Sequence, residues 1–286
     1  MSNCIIGDRF YISPEIISSI KAYSGATFVI KYGGSVMKDK LLQYYMVQDI
    51  VLLSSFGIRI ILVHGGGYAI NQWLEKLDIQ PVFKDGVRVT DKNSIEVVEM
   101  VLSASVNKDL VLQLNNNHTP AIGLSGKDAN LIQASSLSGM NDDYTGKIDC
   151  VNPSILRLLL SNGILPVVSS IASDVSGNTY NVNADTVASY IAASIGADKY
   201  ILMTDTPGVL KDISNPKTLI KKLNIAQISR LKAEGVISGG MIPKLDSCIY
   251  CLGANVTEAH IIDGRVRYSL LSEILNIEGS GSMIVK

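Results

Sequence analysis

The stretch Ile60-Ile61-Leu62-Val63-His64-Gly65-Gly66-Gly67 runs four apolar residues into a histidine and three consecutive glycines. A glycine held in ordered structure costs roughly 0.5–1 kcal/mol of backbone entropy relative to alanine. Three in a row predict a turn where something approaches the main chain closely. The apolar run is short and bounded, the pattern of a buried strand, and a helical period follows from Gly67 to Leu77. Strand, glycine turn and helix in that order make one unit of an α/β fold. The N–H groups of such a turn, aided by the helix dipole, face an anion. A tight turn without a ligand is the plainer reading of one glycine; three favour the anion site.

A second stretch repeats the arrangement: Phe28-Val29-Ile30-Lys31-Tyr32-Gly33-Gly34-Ser35, with a lysine two residues before the glycines. A lone lysine is ordinarily solvated surface, but this one ends an apolar strand beside a phosphate-type cradle. Further short apolar runs lie at Thr119–Leu124, Ile164–Val168, Lys199–Thr204 and Glu258–Ile262, besides Thr27–Tyr32 and Arg59–Val63. Helical patterns separate them at Lys38–Phe56, Lys92–Leu114, Pro153–Asn162, Ala184–Ile195 and Met241–Leu252. The alternation predicts an α/β protein, a three-layer αβα sandwich with a central, mainly parallel sheet. Gly139–Thr145 reads as a loop or hairpin, and the polar stretch Ser169–Asn178 as a boundary between two lobes.

Composition bounds the function. The 286 residues are 47% hydrophobic and 18% charged with a net charge of −1, a soluble globular pattern with no basic face for nucleic acid. No apolar run approaches the roughly 18 residues of a membrane span. The first residues carry neither a signal nor a transit pattern, so the expected place of work is where the chain is made, the cytoplasm, or the plastid stroma for a plastid gene. Four scattered cysteines suit a reducing compartment. Cys248-Ile249-Tyr250-Cys251 matches a metal or redox spacing. No second cysteine or histidine pair completes a zinc site, so two small apolar residues one helical turn apart is the favoured reading.

No G-x-x-x-x-G-K-[ST] loop and no H-R-D catalytic loop occurs, and His64-Gly65-Gly66-Gly67-Tyr68-Ala69-Ile70 lacks the dinucleotide spacing G-x-G-x-x-G. Five segments in order carry a resemblance: Lys31-Tyr32-Gly33-Gly34, Val63-His64-Gly65-Gly66-Gly67, Asp85-Gly86-Val87-Arg88-Val89-Thr90, Asn181-Val182-Asn183-Ala184-Asp185 and Gly240-Met241-Ile242-Pro243-Lys244. Each alone is weak. Together, from about Thr27 to Met283, they resemble the acetylglutamate kinase family of the amino-acid kinase superfamily.

The resemblance implies the amino-acid kinase fold with three parts: an N-terminal helical extension (1–24), an acetylglutamate-binding and dimerisation lobe (25–175) and an ATP-binding lobe (176–286). It implies transfer of the γ-phosphoryl of ATP, with Mg²⁺ carried on the phosphates and no metal held by protein side chains, onto the side-chain carboxylate of N-acetyl-L-glutamate in arginine biosynthesis. Lys31 and Lys244 would neutralise charge on the moving phosphoryl and Asp185 would hold both lysines. The plainer reading of Asp185 is a cap or first-turn acid of the helix near Ala184. Gly34 and Gly66 would contact the phosphoryl, Gly66 and Gly67 would line the substrate pocket, and Asn181 would bond the acetamido-acid backbone. Arg88 suits the α-carboxylate, since its planar fork matches two oxygens; a surface arginine is the alternative. Asp205, Thr206, Pro207, Gly208, Val209 and Leu210, with Val236, Ile237 and Ser238, would surround ATP.

Feedback inhibition by arginine is implied by His260, Glu273, Gly279 and Gly281. The chain departs from the arginine-sensitive pattern at Tyr268 and Ser282, where relatives usually carry His and Thr. Ser13-Pro14-Glu15 starts a helix with an apolar stripe of Ile16, Ile17 and Ile20, which either joins homodimers into a hexamer or packs on its own domain. Some plastid and cyanobacterial relatives bind a PII-type signalling protein, a further expected partner. Glutamate 5-kinase, aspartokinase and carbamate kinase share the glycine turns and stay open, as does a non-catalytic amino-acid sensor, which would have no use for Lys31 and Lys244 together.

Overall fold

The computed structural model describes residues 14–84, 87–140, 142–275 and 279–286. Cys4, Ser13, Asp85 and Gly86, each part of an expectation above, lie outside the described residues. The first half holds α1 (Pro14–Tyr23), β1 (Thr27–Tyr32), α2 (Lys40–Ser55), β2 (Arg59–His64), α3 (Gly67–Lys76), β3 (Val82–Lys84), β4 (Val87–Val89), α4 (Lys92–Glu99), α5 (Asn107–Asn116) and β5 (Ala121–Leu124). Next come β6 (Ile132–Ser136), β7 (Thr145–Val151), α6 (Ser154–Ser161), β8 (Leu165–Ser169), β9 (Ile171–Ser173), β10 (Thr179–Val182) and α7 (Ala184–Ile195). The chain ends with β11 (Lys199–Thr204), β12 (Lys222–Asn224), α8 (Ile225–Ala233), α9 (Met241–Gly253), β13 (Glu258–Asp263), α10 (Ser269–Leu275) and β14 (Ser282–Val285).

Eight strands form one sheet in the order β12-β14-β13-β11-β1-β2-β8-β5, parallel everywhere except between β13 and β14. Alternation along β1 builds the layers. Phe28, Ile30 and Tyr32 pack with Met46, Val47, Ile50 and Leu53 of α2 and with Leu270 and Ile274 of α10. Val29 belongs to the opposite core, with Val187, Ala188 and Ile191 of α7 and Leu245 and Cys248 of α9. A strand buried on both faces has no polar side, so it reads in sequence as a continuous apolar run. Cys248 and Cys251 are buried free thiols in α9, the plain reading of their spacing.

Two features depart from the expected organisation. Strands β6, β7, β9 and β10 close into a small barrel, and the polar stretch Ser169–Asn178 supplies the end of β8, all of β9 and the turn into β10. The expected division at 175/176 falls at the tip of this β9–β10 hairpin. The expected helix Lys92–Leu114 is interrupted by a wide π-helical stretch at Met100–Val106, which joins α4 to α5. The π stretch turns Leu102 and Val106 toward Gly66. A Cβ on Gly66 would sit 2.6 Å from Leu102 Cδ2, so the glycine turn after β2 is packed against side chains as well as open to a ligand.

Candidate active site

Strands β1 and β2 pair in parallel with Tyr32 opposite His64, so both glycine turns leave the sheet side by side at its carboxyl edge. That edge, beside helix N-termini, is where open α/β sheets take ligands. Lys31 lies 2.8 Å from Asp185 Oδ1, and Lys244 Nζ donates to Asp185 Oδ2 at 3.0 Å. Three elements meet there: β1, the first turn of α7 and the first turn of α9. Asp185 is 5% exposed. Burial pushes its carboxyl pKa up, but the two ammonium groups outweigh burial and hold it at about 2. The cap of α7 is Asn183, whose Oδ1 accepts from Asp185 N at 2.8 Å and Thr186 N at 3.2 Å. Asp185 is therefore the first-turn acid rather than the cap, and its carboxylate is free for the lysines.

Gly33 forms the wall behind Lys31. A Cβ there would lie 2.5 Å from Lys31 Nζ and 2.8 Å from Cε. The glycine thus lets the ammonium fold over the main chain toward Asp185.

Two cavities share this centre. One, about 500 Å³, is lined by Gly66, Gly67, Asn71, Arg88, Leu102 and Asn181 among others. Arg88 is buried, stacked over the Phe83 ring at 4.7 Å, and its Nη2 donates to Gly67 O at 3.3 Å and to Asn71 Oδ1. Its Nη1 is buried with no hydrogen-bond partner. Burial lowers the pKa of the guanidinium. An unpartnered buried cationic donor costs free energy that an anion would recover. Asn181 Nδ2 donates to Thr90 Oγ1 at 2.9 Å.

The second cavity, about 890 Å³, is lined by Gly34, the whole run Asp205–Leu210, and Val236, Ile237 and Ser238. Lys31, Gly34, Asp205 and Lys244 line both cavities. Thr206 Oγ1 is buried there without a partner. Ser282 braces the floor: its hydroxyl accepts from Val209 N at 2.9 Å and donates to Ile220 O at 2.6 Å.

His64 stays out of the chemistry. It is fully buried, its Nδ1 2.9 Å from Gly65 O and its Nε2 3.0 Å from Asn107 Nδ2. Burial lowers its pKa to about 4. A neutral imidazole with Nδ1 donating and Nε2 accepting fits both contacts and pins the glycine turn.

His260, Glu273, Gly279 and Gly281 come together between β13, α10 and the start of β14. Glu273 Oε1 meets His260 Nδ1 at 2.7 Å, and its Oε2 accepts from Gly281 N at 2.7 Å. A Cβ on Gly279 would lie 3.0 Å from the same Oε2. Burial raises the Glu273 pKa, and the His260 bond and main-chain donors bring it to about 2. Glu258 and Lys199, which the sequence reading did not single out, join the cluster as an ion pair, with Lys199 over the Tyr23 ring of α1 at 4.7 Å.

Other site residues also escaped the sequence reading. Asn71 orients Arg88 from one turn inside α3, and Asp263 and Arg265 form a bidentate pair at the larger cavity. The strand-ending Asp263-Gly264 was the available signal for the latter.

The sequence profile of the amino acid kinase family matches residues 26–263. An acetylglutamate kinase of Gracilaria tenuistipitata var. liui is 52% identical over 279 residues, 97% of this chain and 98% of that protein. One from Nostoc sp. is 50% identical over 277 residues, 97% of this chain and 93% of that protein. The structure of N-acetylglutamate synthase from Neisseria gonorrhoeae, complexed with coenzyme A and N-acetyl-glutamate, superposes with a TM-score of 0.83 at 24% identity. It covers 95% of this chain, which spans 62% of that one, and the likeness is one of fold.

Proposed function

The chain belongs to the amino acid kinase family, and we propose that it transfers the γ-phosphoryl group of ATP to the side-chain carboxylate of N-acetyl-L-glutamate, giving N-acetyl-L-glutamyl 5-phosphate and ADP. The observation that carries this reading is the single carboxylate, Asp185, gripping two lysines where the two cavities meet. A carboxylate acceptor has a pKa of about 4.3 and is ionised at neutral pH, so the site needs no general base. It needs cations where charge develops and walls that align donor and acceptor.

In this mechanism ATP occupies the larger cavity, its phosphates directed at Gly34, and N-acetyl-L-glutamate occupies the smaller one. Arg88 Nη1 takes the α-carboxylate. The Asn181 amide nitrogen is committed to Thr90, so its oxygen is offered to the acetamido N–H. Main-chain N–H groups of Gly34 and Gly66 hold the moving phosphoryl, while Lys31 and Lys244 neutralise it from opposite sides. Of the carboxylates lining the cavities, Asp185 and Asp263 are already paired with cations and Asp205 lines both cavities; in this reading Mg²⁺ stays on the phosphates and water. Mg²⁺ would neutralise the β- and γ-phosphates. ATP consumption measured with N-acetyl-L-glutamate against glutamate, aspartate and carbamate tests the proposal. Turnover confined to N-acetyl-L-glutamate is expected, and preference for any of the others would overturn it.

The fork of Arg88 gives a sharper expectation. Arg88→Lys keeps the charge but loses the fork that holds Gly67 O and Asn71 Oδ1 with one arm while offering the other to the substrate, so the KM for N-acetyl-L-glutamate is expected to rise about 10- to 150-fold, the equivalent of one charge-assisted bond of roughly 1.5–3 kcal/mol, with the KM for ATP little changed. An unchanged acetylglutamate KM in steady-state kinetics would remove Arg88 from this role.

Residues 25–175 form the acceptor and dimerisation lobe in this reading and 176–286 the ATP lobe, in a protein of the cytoplasm or, for a plastid gene, the stroma. The cluster of His260, Glu273, Gly279 and Gly281 takes arginine, whose guanidinium and α-amino group suit its acidic groups. A PII-type signalling protein is the macromolecular partner the reading adds. Helix α1 has no buried residue, leaves Ile17 exposed and sets Tyr23 against Lys199 of that cluster. Deletion of residues 1–24 is therefore expected to convert hexamers into dimers and abolish arginine inhibition while leaving basal turnover in place. Light scattering that gives the same mass before and after truncation would reject this.

A further inference from the structure

The main-chain carbonyls of Asp185 and Lys244 are joined beneath the site by two buried hydroxyls to which the reaction assigns no part. Tyr200 Oη lies 3.0 Å from Asp185 O and 3.2 Å from Ser247 Oγ, and Ser247 Oγ donates to Lys244 O at 2.6 Å. Two protons serve three oxygen–oxygen contacts. Ser247 spends its proton on the shortest, so the Tyr200 proton is shared between Asp185 O and Ser247 Oγ. Tyr200 is fully buried on β11, directly opposite Val29 of β1 and two residues from the level of Lys31. Burial first, then the negative charge of Asp185, raises its pKa well above the ordinary phenol value, so it remains a donor at every working pH. The strand residues that follow, Ile201, Leu202 and Met203, are apolar. A hydroxyl in such a core is costly unless bonded, and this one is bonded to the main chain of Asp185, whose side chain holds both lysines of the site.

We propose that Tyr200 and Ser247 are positioning residues for phosphoryl transfer, tying the first turn of α7 to the first turn of α9 so that the main-chain segments carrying Asp185 and Lys244 keep one separation through the reaction. The inference rests on the two-lysine reading of the site. As negative charge builds on the phosphoryl, both ammonium groups are drawn away from Asp185, and side-chain attraction alone no longer fixes the two helix starts. The hydroxyl bridge acts from the main-chain side and is untouched by that change. Small displacements at a reacting centre carry large rate penalties, so the bridge should appear in kcat and leave binding alone.

The test compares wild type, Tyr200→Phe, Ser247→Ala and the double variant, each checked for folding by circular dichroism and thermal melting. Phenylalanine keeps the ring, so packing survives. Each single change is expected to lower kcat about tenfold, the scale of one buried hydrogen bond, with the KM for ATP and for N-acetyl-L-glutamate within about twofold and the pH profile parallel to wild type. The double variant should be little worse than the poorer single one, because the hydroxyls act as one unit. A folded Tyr200→Phe with kcat within about twofold of wild type, or losses that multiply in the double variant, would overturn the bridge. Should Tyr200→Phe fail to fold, Ser247→Ala is judged by the same kcat and KM criteria. A wild type inactive on N-acetyl-L-glutamate would instead overturn the proposed reaction.

Discussion

Lys31→Met and Lys244→Met are each expected to fold, bind N-acetyl-L-glutamate and lose about 10²- to 10³-fold in kcat, the usual effect of removing one electrostatic stabiliser of a transition state. Both ammonium groups rest on Asp185 in the free protein, at 2.8 and 3.0 Å, and gain a second partner only when the phosphoryl is in flight. Interactions made mainly in the transition state appear in kcat and spare KM. Methionine retains most of the apolar stem, which matters for Lys31, 7% exposed between two layers. Asp185 keeps one lysine in either variant, so no buried carboxylate is left wholly uncompensated. Near wild-type turnover by folded Lys244→Met would reduce Lys244 to an ordinary helix lysine and end the cross-lobe mechanism.

Gly33→Ala is expected to cost about 10²-fold in kcat although every proposed catalytic group is still present, the penalty that roughly 1 Å of misplacement can carry. The added methyl would lie 2.5 Å from Lys31 Nζ, inside van der Waals contact, so the ammonium must leave its place above the glycine. The lysine stem is flexible and can yield, so the fold survives and the damage falls on the alignment with Asp185. The same substitution at Gly253, at the end of α9 and in the lining of neither cavity, where a Cβ would meet nothing within 4 Å, is the control. Equal activity of Gly33→Ala and wild type would show that Lys31 acts from a different position.

The parts of this molecule that a sequence exposes are those where one cause dominates. Strands buried on both faces, such as Phe28–Lys31 and Ile60–Val63, leave uninterrupted apolar runs, and the glycine turns after them stand out against the entropy that glycine costs. The residues gathered around Asp185 were readable because their motifs lie in short contiguous segments. The small barrel was not: Ile132–Ser136 and Thr145–Val151 mix Ser, Gln, Lys and Asp with few apolar residues, because the barrel is too small to bury both strand faces. The π stretch at Met100–Val106 carries no Pro or Gly to announce it, its extra width being set by packing of Leu102 against a glycine far away in sequence. Asn71, Tyr200 and Ser247 were hidden for a similar reason. Asn71 meets Arg88, and Tyr200 meets Asp185 and Ser247, and nothing local in a helix or strand marks a hydrogen bond made across the fold.

The central position of β1 also bears on how the molecule is made. Its neighbour on one side, β2, follows directly after the next α-helix, α2, but its neighbour on the other, β11, lies far along the chain. At synthesis rates of about 5–20 residues per second, the nascent strand waits roughly 8–35 s with one hydrogen-bonding edge bare, and the lysine it carries has no carboxylate to meet until α7 emerges. An unpaired apolar edge is a template for pairing with another chain. Yield from the ribosome is therefore set by what shields that edge, and a fragment ending before Lys199 is expected to aggregate where the full chain folds.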